Sequence, residues 1–492
     1  MRTVKMVVLV TFLAVFTMAA RVSMDSDTWW HLRAGQWILD HRQILTVDRF
    51  SFTRAGEPWK YPGWLIEVPM FLIYQGFGPG GLNVLTALVI TLTFVFVWQT
   101  LTGGPFLRAF VIIFAAIVSG VYWAARPYLI TFLLSAVFLW VLEDYRLGRV
   151  NRLWLLPILM VIWANSHGGF IIGFILWAVY LIGQLGHIKL TDLHGPGIVY
   201  YIKTSLPLIF IGLGLVIAVC INPSGPIMLL YGFKTVSITT LRDYIQEWQS
   251  PNFHELRVQP FIWMLLLTLG VLGYSRKRLA LTDFLLVAGF AYMSLTAARN
   301  IAIFALVTPL VLTRYGAPIL NEYGKLLKVR VLTANNVDIS PRYHVLNWII
   351  LGVLSIACVI KVSMVLPSEA NWREIKKSIP VEAVDIIKLN KPSGQLFNSY
   401  NWGGYLIWAL PEYPVFIDGR TDLYNDEIIS QWLQVVQAED GWQQILDRWG
   451  VGAILIEPDR PVVKQLYAKG WKQIYGDAVA VVYILPIRQT EK

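Results

Sequence analysis

Long apolar runs separated by short polar loops dominate this chain, and their number and length fix what it can fold into. A helix crossing a bilayer needs about 20 predominantly apolar residues. Such runs fall at about 4–21, 81–101, 107–124, 128–143, 153–166, 168–186, 204–221, 257–274, 281–297, 299–315 and 345–362. They predict a polytopic α-helical membrane protein with a bundle of about 11 transmembrane helices. Only 15% of the 492 residues are charged, against about 25% in an ordinary soluble domain. The first run has the basic start and small residues (Ala19, Ala20) of a signal peptide. We read it as an uncleaved span because further spans follow.

Basic residues orient the bundle. Arg2 and Lys5; Arg108; Arg146, Arg149 and Arg152; Lys189 and Lys203; Arg276, Lys277 and Arg278; and Lys325, Lys328 and Arg330 alternate along the chain. Their loops are read as cytoplasmic, which puts the N-terminus inside and the C-terminal region outside. The same placement accounts for the net charge of +10 without nucleic acid as a partner. Cys220 and Cys358 lie in apolar runs and suggest neither a disulfide framework nor a metal site.

Trp64–Phe77 is short and interrupted by Glu67 and Pro69, so it reads as interfacial or re-entrant rather than spanning. Beyond about residue 363 the composition changes to short apolar runs among charges, Asn and Gly. Val415-Phe416-Ile417, 453–456 and 478–485 read as strands, and 425–449 and 460–469 as amphipathic helices. That alternation predicts a small α/β domain. The division expected is a transmembrane domain over 1–362, with a first outer loop at 22–80, and an extracytoplasmic α/β domain over 363–492.

Polar residues that topology does not explain collect on the predicted outer side. Asp25, Asp27, His31 and Glu57 lie in the first loop. Arg126, Asn165, His167, Asn222, Glu247 and Arg299 follow at outward helix ends. Clustered charges beside a membrane are costly and tend to be functional. Ser26 or Asp27 could instead cap a helix through Trp29, Trp30 and Leu32. Asp27 and His31, four apart, would share its face. Arg126 and Arg299 could snorkel to the interface, or offer a planar fork to phosphate. The Asp25-x-Asp27 pair has the oxygen donors for Mg or Mn shared with a phosphate. A structural hydrogen bond is the competing role for His167.

The succession of one span, an acidic outer loop, an interfacial helix, many spans and an extracytoplasmic C-terminal domain resembles the GT-C superfamily of membrane glycosyltransferases. Similar proteins are bacterial glycosyltransferase-39-like enzymes, protein O-mannosyltransferases, lipid A aminoarabinose transferases and oligosaccharyltransferases. Lys60-Tyr61-Pro62-Gly63-Trp64-Leu65 is similar to a Pro-Pro-Leu stretch of several of them, with Gly-Trp in place of Pro-Leu. The chain most resembles bacterial members that share Asp25-x-Asp27-x-Trp29-Trp30-His31, Trp163-Ala164-Asn165-Ser166-His167-Gly168-Gly169, Trp402-Gly403-Gly404-Tyr405 and Phe416-Ile417-Asp418-Gly419-Arg420.

The resemblance implies sugar transfer from a polyprenyl-phosphate donor to an acceptor (protein, glycan or lipid) on the outer face of a bacterial plasma membrane. Asp25 or Asp27 would be the catalytic base, with Asp25 the first choice. His31, Glu57, Arg126, His167, Glu247 and Arg299 would line the substrate site, and Mg or Mn is a candidate cofactor held by Asp25 and Asp27. Membrane lipids are the expected surroundings. Two other readings stay open. A transporter predicts deep charges and repeat symmetry. A non-catalytic assembly subunit would keep the fold without the activity.

Overall fold

A helix that is apolar all round belongs inside a bundle, and the first half of Ile301–Leu326, up to Thr313, is such a stretch, with only threonines among its apolar residues. In the computed structural model, which describes residues 3–186, 196–326 and 341–486, every residue from 301 to 317 is buried. This helix packs against Pro105–Ser119, Tyr128–Arg146, Gln259–Tyr274 and Leu281–Thr296. Ile171–Leu185 and Pro196–Cys220 pack on one another, and Leu155–Ala164 packs on Pro196–Cys220. Pro341–Val365 lies at the periphery against Thr3–Ala19. Its Trp348, Val353, Ile356 and Val359 are exposed, as expected of side chains that face lipid rather than water.

Among the described residues, seven helices are long and apolar enough to cross a membrane. Four shorter apolar helices of 10–17 residues join them, and each predicted run carries one of this set. The chain is a multi-pass membrane protein. Of the basic residues used for orientation, Arg2, Lys189, Lys328 and Arg330 lie outside the described residues.

The chain divides into two compact units. The first takes Met1–Ser23, Asn83–Leu229 and Ile245–Leu366, and the second takes Met24–Leu82, Leu230–Tyr244 and Pro367–Lys492. The division falls inside the continuous helical run Trp64–Thr100, which breaks at Gly78 with φ +60° and ψ −159°. Glycine alone adopts that conformation readily.

The first unit holds a buried charge network that the sequence reading did not single out. Arg314 bonds both Glu143 and Asp283. Arg146 donates to Asp283 at 2.6 Å, Tyr180 to Glu143 at 2.8 Å and Tyr315 to Asp283 at 2.9 Å. Two guanidiniums and two carboxylates from three helices thus neutralise each other. Arg152 likewise pairs with Asp144 at 2.8 Å. Arg146 and Arg152 therefore do structural work besides orienting the chain.

The second unit carries a four-stranded sheet of order β1-β2-β4-β3, with β1 Gln395–Asn398, β2 Val451–Ile456, β3 Lys472–Gly476 and β4 Val481–Ile484. β1 and β2 are parallel, whereas β4 runs antiparallel to both β2 and β3. Two predicted strands correspond to β2 and β4. Val415 forms isolated bridges to Ser51 and Leu396 rather than a full strand, because its partner on one side is the irregular first loop. Phe52 donates to the Val415 carbonyl at 3.1 Å, and Val415 to the Phe50 carbonyl at 3.0 Å. The predicted helix over 425–449 is two helices, Thr421–Val436 and Trp442–Arg448. The chain turns between them through positive φ at Ala438 and Gly441.

One buried ion cluster ties these pieces together. Arg420 donates to Asp418 through Nε at 2.9 Å and Nη2 at 2.7 Å, and to Asp48 at 2.6 Å. Its guanidinium lies 4.9 Å from the Trp59 ring centre and 5.3 Å from that of Phe50. Asp48 also accepts from Ser51 Oγ at 2.5 Å and from the Phe50 and Ser51 amides. Breaking a buried pair by removing one partner costs about 3–5 kcal/mol. Asp48→Ala should therefore lower unfolding stability by about that amount, read as a large fall in thermal midpoint and in protease resistance, while Glu57→Ala at an exposed pair should lose under about 1 kcal/mol.

Candidate active site

In the second unit the first loop starts the helix Ser26–His41, and the residue that caps it is Asp25. Asp25 Oδ1 accepts from the amides of Asp27 at 3.0 Å and Thr28 at 3.1 Å. Thr28 Oγ1 accepts from the Asp25 amide at 3.0 Å. This reciprocal box satisfies helix-end donors that otherwise lack partners. The cap is therefore Asp25, not Ser26 or Asp27 as the sequence suggested. An aspartate suits the position because its carboxylate also meets the positive end of the helix dipole.

Asp27 is in the first turn. Its carboxylate packs against the backbone of Gly419, where a Cβ would overlap Oδ1 and Cγ. His31, one turn on, bonds Glu67 at 2.6 Å. Glu67 is fully buried and also takes the Tyr61 hydroxyl. Trp59 and Tyr61 stack at 3.8 Å beside the Trp30 ring. Asp422 accepts from Trp59 Nε1 at 3.3 Å and the Tyr231 hydroxyl at 3.4 Å. Burial pushes its carboxyl pKa up, partly opposed by Lys234. Glu57, by contrast, pairs with Arg54 at 3.1 Å with half its side chain exposed.

Sequence reading missed Glu67, Tyr61, Asp422 and Tyr231 as members of this cluster. The signal for Glu67 was an acid inside an apolar stretch, which is expensive unless partnered. Asp418 and Arg420, of the segment Phe416–Arg420 that carries part of the resemblance, are both buried and bonded to each other and to Tyr424.

In the first unit four of the predicted residues come together. Arg126 donates to Glu247 at 2.8 Å. The Arg299 amide donates to the Glu247 carbonyl at 3.0 Å, and Ala298 to Gln249 at 2.9 Å. The Arg299 guanidinium lies 4.4 Å from the Trp248 ring centre. Tyr128 donates to the Arg299 carbonyl at 3.3 Å and meets the His167 ring edge-on. Arg126 attracts the Glu247 carboxyl most strongly and holds its pKa below the usual range.

His167 Nδ1 accepts from the Gly169 amide at 3.0 Å. The amide can only donate, so Nδ1 is unprotonated and the proton sits on Nε2. Thr131 lies 2.8 Å from the same Nδ1 and itself accepts from Trp163 Nε1 at 2.8 Å. Burial, then the charges of Arg299 and Arg126, lower the His167 pKa to about 3. The cluster thus holds two guanidiniums, one carboxylate and a neutral imidazole, an arrangement with one positive charge in excess that suits an anion.

Among the described residues no three of His, Cys, Asp and Glu gather in a way that could hold a metal. Mg is commonly held by one or two carboxylates together with waters and substrate phosphates. Asp25 spends Oδ1 on the helix cap, so the Asp25–Asp27 pair would hold such an ion only together with water and a phosphate.

No protein-family profile and no curated protein matches the sequence. Solved structures do. The oligosaccharyltransferase of Archaeoglobus fulgidus in its apo form aligns with TM-score 0.53 at 10% identity, over 98% of this chain and 75% of that one. The archaeal oligosaccharyltransferase AglB from Archaeoglobus fulgidus, in complex with an inhibitory peptide and a dolichol-phosphate, aligns at 0.52 and 10% identity with the same coverage. Tethered to an acceptor peptide containing the NVT sequon, the first of these enzymes aligns at 0.52 and 11%, over 98% and 74%. The chain has the GT-C fold. At this identity the likeness carries the GT-C architecture, and roles for individual residues must come from their own geometry.

His167 gives a pH signature with a definite sign. Its pKa falls from 6.5 to about 3 on folding, so between those values the unfolded chain binds a proton that the native one refuses. Stability from this group is complete above pH 6.5 and is lost as pH falls. From pH 7 to 5 the loss should be about 2 kcal/mol. Thermal unfolding in detergent should show this slope, and His167→Gln should flatten it by that amount.

Proposed function

We propose that this protein is a membrane glycosyltransferase that moves a sugar from a polyprenyl-phosphate carrier to an acceptor hydroxyl. The observation that carries the reading is the GT-C fold, matched over 98% of the chain, with a first-loop carboxylate held against the glycine of a buried Asp-Gly-Arg segment. The archaeal relative's complex with a dolichol-phosphate and a peptide supports a lipid phosphate as the carrier.

Asp27 is the base in this reading. Asp25 Oδ1 holds the helix end, and Asp27, whose carboxylate lies against Gly419, is assigned the chemistry. The acceptor oxygen attacks C1 of the sugar and its proton passes to Asp27. The C1–O bond to phosphate breaks and the polyprenyl phosphate leaves. General-base help of this kind contributes about 10²–10⁴-fold. In the first unit, Arg126 and Arg299 offer charge-assisted bonds to phosphate oxygens, and neutral His167 offers its Nε2 proton without adding charge. Glu247 keeps Arg126 in place. In this reading the chemistry belongs to the outer face of a bacterial plasma membrane, with the N-terminus cytoplasmic and the C-terminal α/β part extracytoplasmic, an orientation that the distribution of basic residues supports.

Purified protein supplied with a panel of polyprenyl-phosphate sugars tests the reading. Asp27→Asn should lower turnover by at least about 10². Asp25→Asn should keep most turnover and at most lose about 0.5–2 kcal/mol of stability. Arg299→Ala should weaken the donor, seen as a raised KM. Full turnover in Asp27→Asn would remove the proposed base. Binding of the lipid with no transfer across the panel would favour a non-catalytic subunit.

A further inference from the structure

The start of the helix Ser26–His41 meets two glycines of the C-terminal segment, and each contact would fail differently. At Gly404 an added Cβ would overlap the Ser26 carbonyl, a backbone atom. At Gly419 it would overlap the Asp27 carboxylate, the far end of a side chain. The backbone at 419 has no room to retreat. Its neighbours Asp418 and Arg420 are buried and locked to each other, to Asp48 and to Tyr424. The Arg420 amide is itself fixed to Asp418 Oδ1 at 2.9 Å. Anything larger than hydrogen at 419 must therefore move the Asp27 side chain.

We propose that Gly419 is a positioning residue. The buried Asp48–Arg420–Asp418 cluster holds the 419 backbone as a rigid stop, and that stop sets where the Asp27 carboxylate stands. The inference rests on the reading of Asp27 as the base. It adds that the C-terminal segment, far along the chain, determines the geometry of a first-loop group. A misplacement of about 1 Å can cost about 10²-fold in rate, so a single methyl suffices as a probe.

The test is a comparison of Gly419→Ala, Asp27→Asn and the double variant in the polyprenyl-phosphate sugar assay. Gly419→Ala should lower kcat by about 10²-fold with donor KM within about twofold. The double variant should be no slower than Asp27→Asn, because both changes act through one group. Gly404→Ala, which strikes backbone, should instead lower the thermal midpoint. Wild-type kcat in Gly419→Ala beside an inactive Asp27→Asn overturns this inference alone. Full activity in Asp27→Asn overturns the underlying assignment. A further loss in the double variant also overturns the inference. Should Gly419→Ala itself lower the melting temperature, adding Asp27→Ala should restore it by removing the colliding carboxylate. Failure to restore would show that the methyl strikes something else.

Discussion

Polar groups that this chain buries must find their partners within it, and the main features of the molecule follow from how they do so. In the first unit the problem is a buried guanidinium on a helix packed among four others. Arg314 is tolerable there only because Glu143 and Asp283 reach it from two other helices, with Tyr180 and Tyr315 filling remaining oxygens. A buried charge is expensive when alone, so the helices that carry these residues cannot separate without leaving it unpaired. Buried ion pairs of this kind add little net stability, and removing one partner is costly.

The second unit solves the same problem with Arg420. Its donors are taken by Asp418 and Asp48, its face by aromatic rings. Here the consequence is local precision. Asp48 belongs to the first loop and Asp418 to the C-terminal segment, so one buried cation joins two stretches far apart in sequence. The backbone between Asp418 and Arg420 inherits that rigidity. Groups resting on it are held to better tolerance than an exposed loop could offer.

The sequence carried the bundle plainly, because the length of an apolar run is a direct physical demand of the bilayer. It also carried the gathering of Arg126, His167, Glu247 and Arg299, since polar residues at one set of helix ends have few ways to be satisfied other than by each other. It did not carry β1 or β3. β1 is a short stretch with polar ends, Gln395 and Asn398, and Lys472–Gly476 is a partly exposed edge strand whose periodicity is weak. Nor could it carry Glu67 beside His31, a pairing 36 positions apart that only the fold creates. Glu57 looked equally acidic and equally near, and it faces solvent. Charge in a sequence marks candidates, while burial decides which of them must be paired.

The two aspartates at the head of the first loop illustrate how neighbouring identical residues acquire different tasks. A helix start presents bare amide groups and a positive end. The carboxylate immediately before it is drawn into capping, and its bonds to the Asp27 and Thr28 amides fix the first turn. A carboxylate two positions later cannot cap the same amides, because its own amide is one of those being capped. It projects sideways from the first turn, and its surroundings are set by whatever packs there, in this chain the 419 backbone. Asp25 thereby orders the helix that aims Asp27. A two-residue shift of the helix start would put the cap on Asp27 instead of Asp25, so the register of this helix is as much a part of the site as the carboxylate itself.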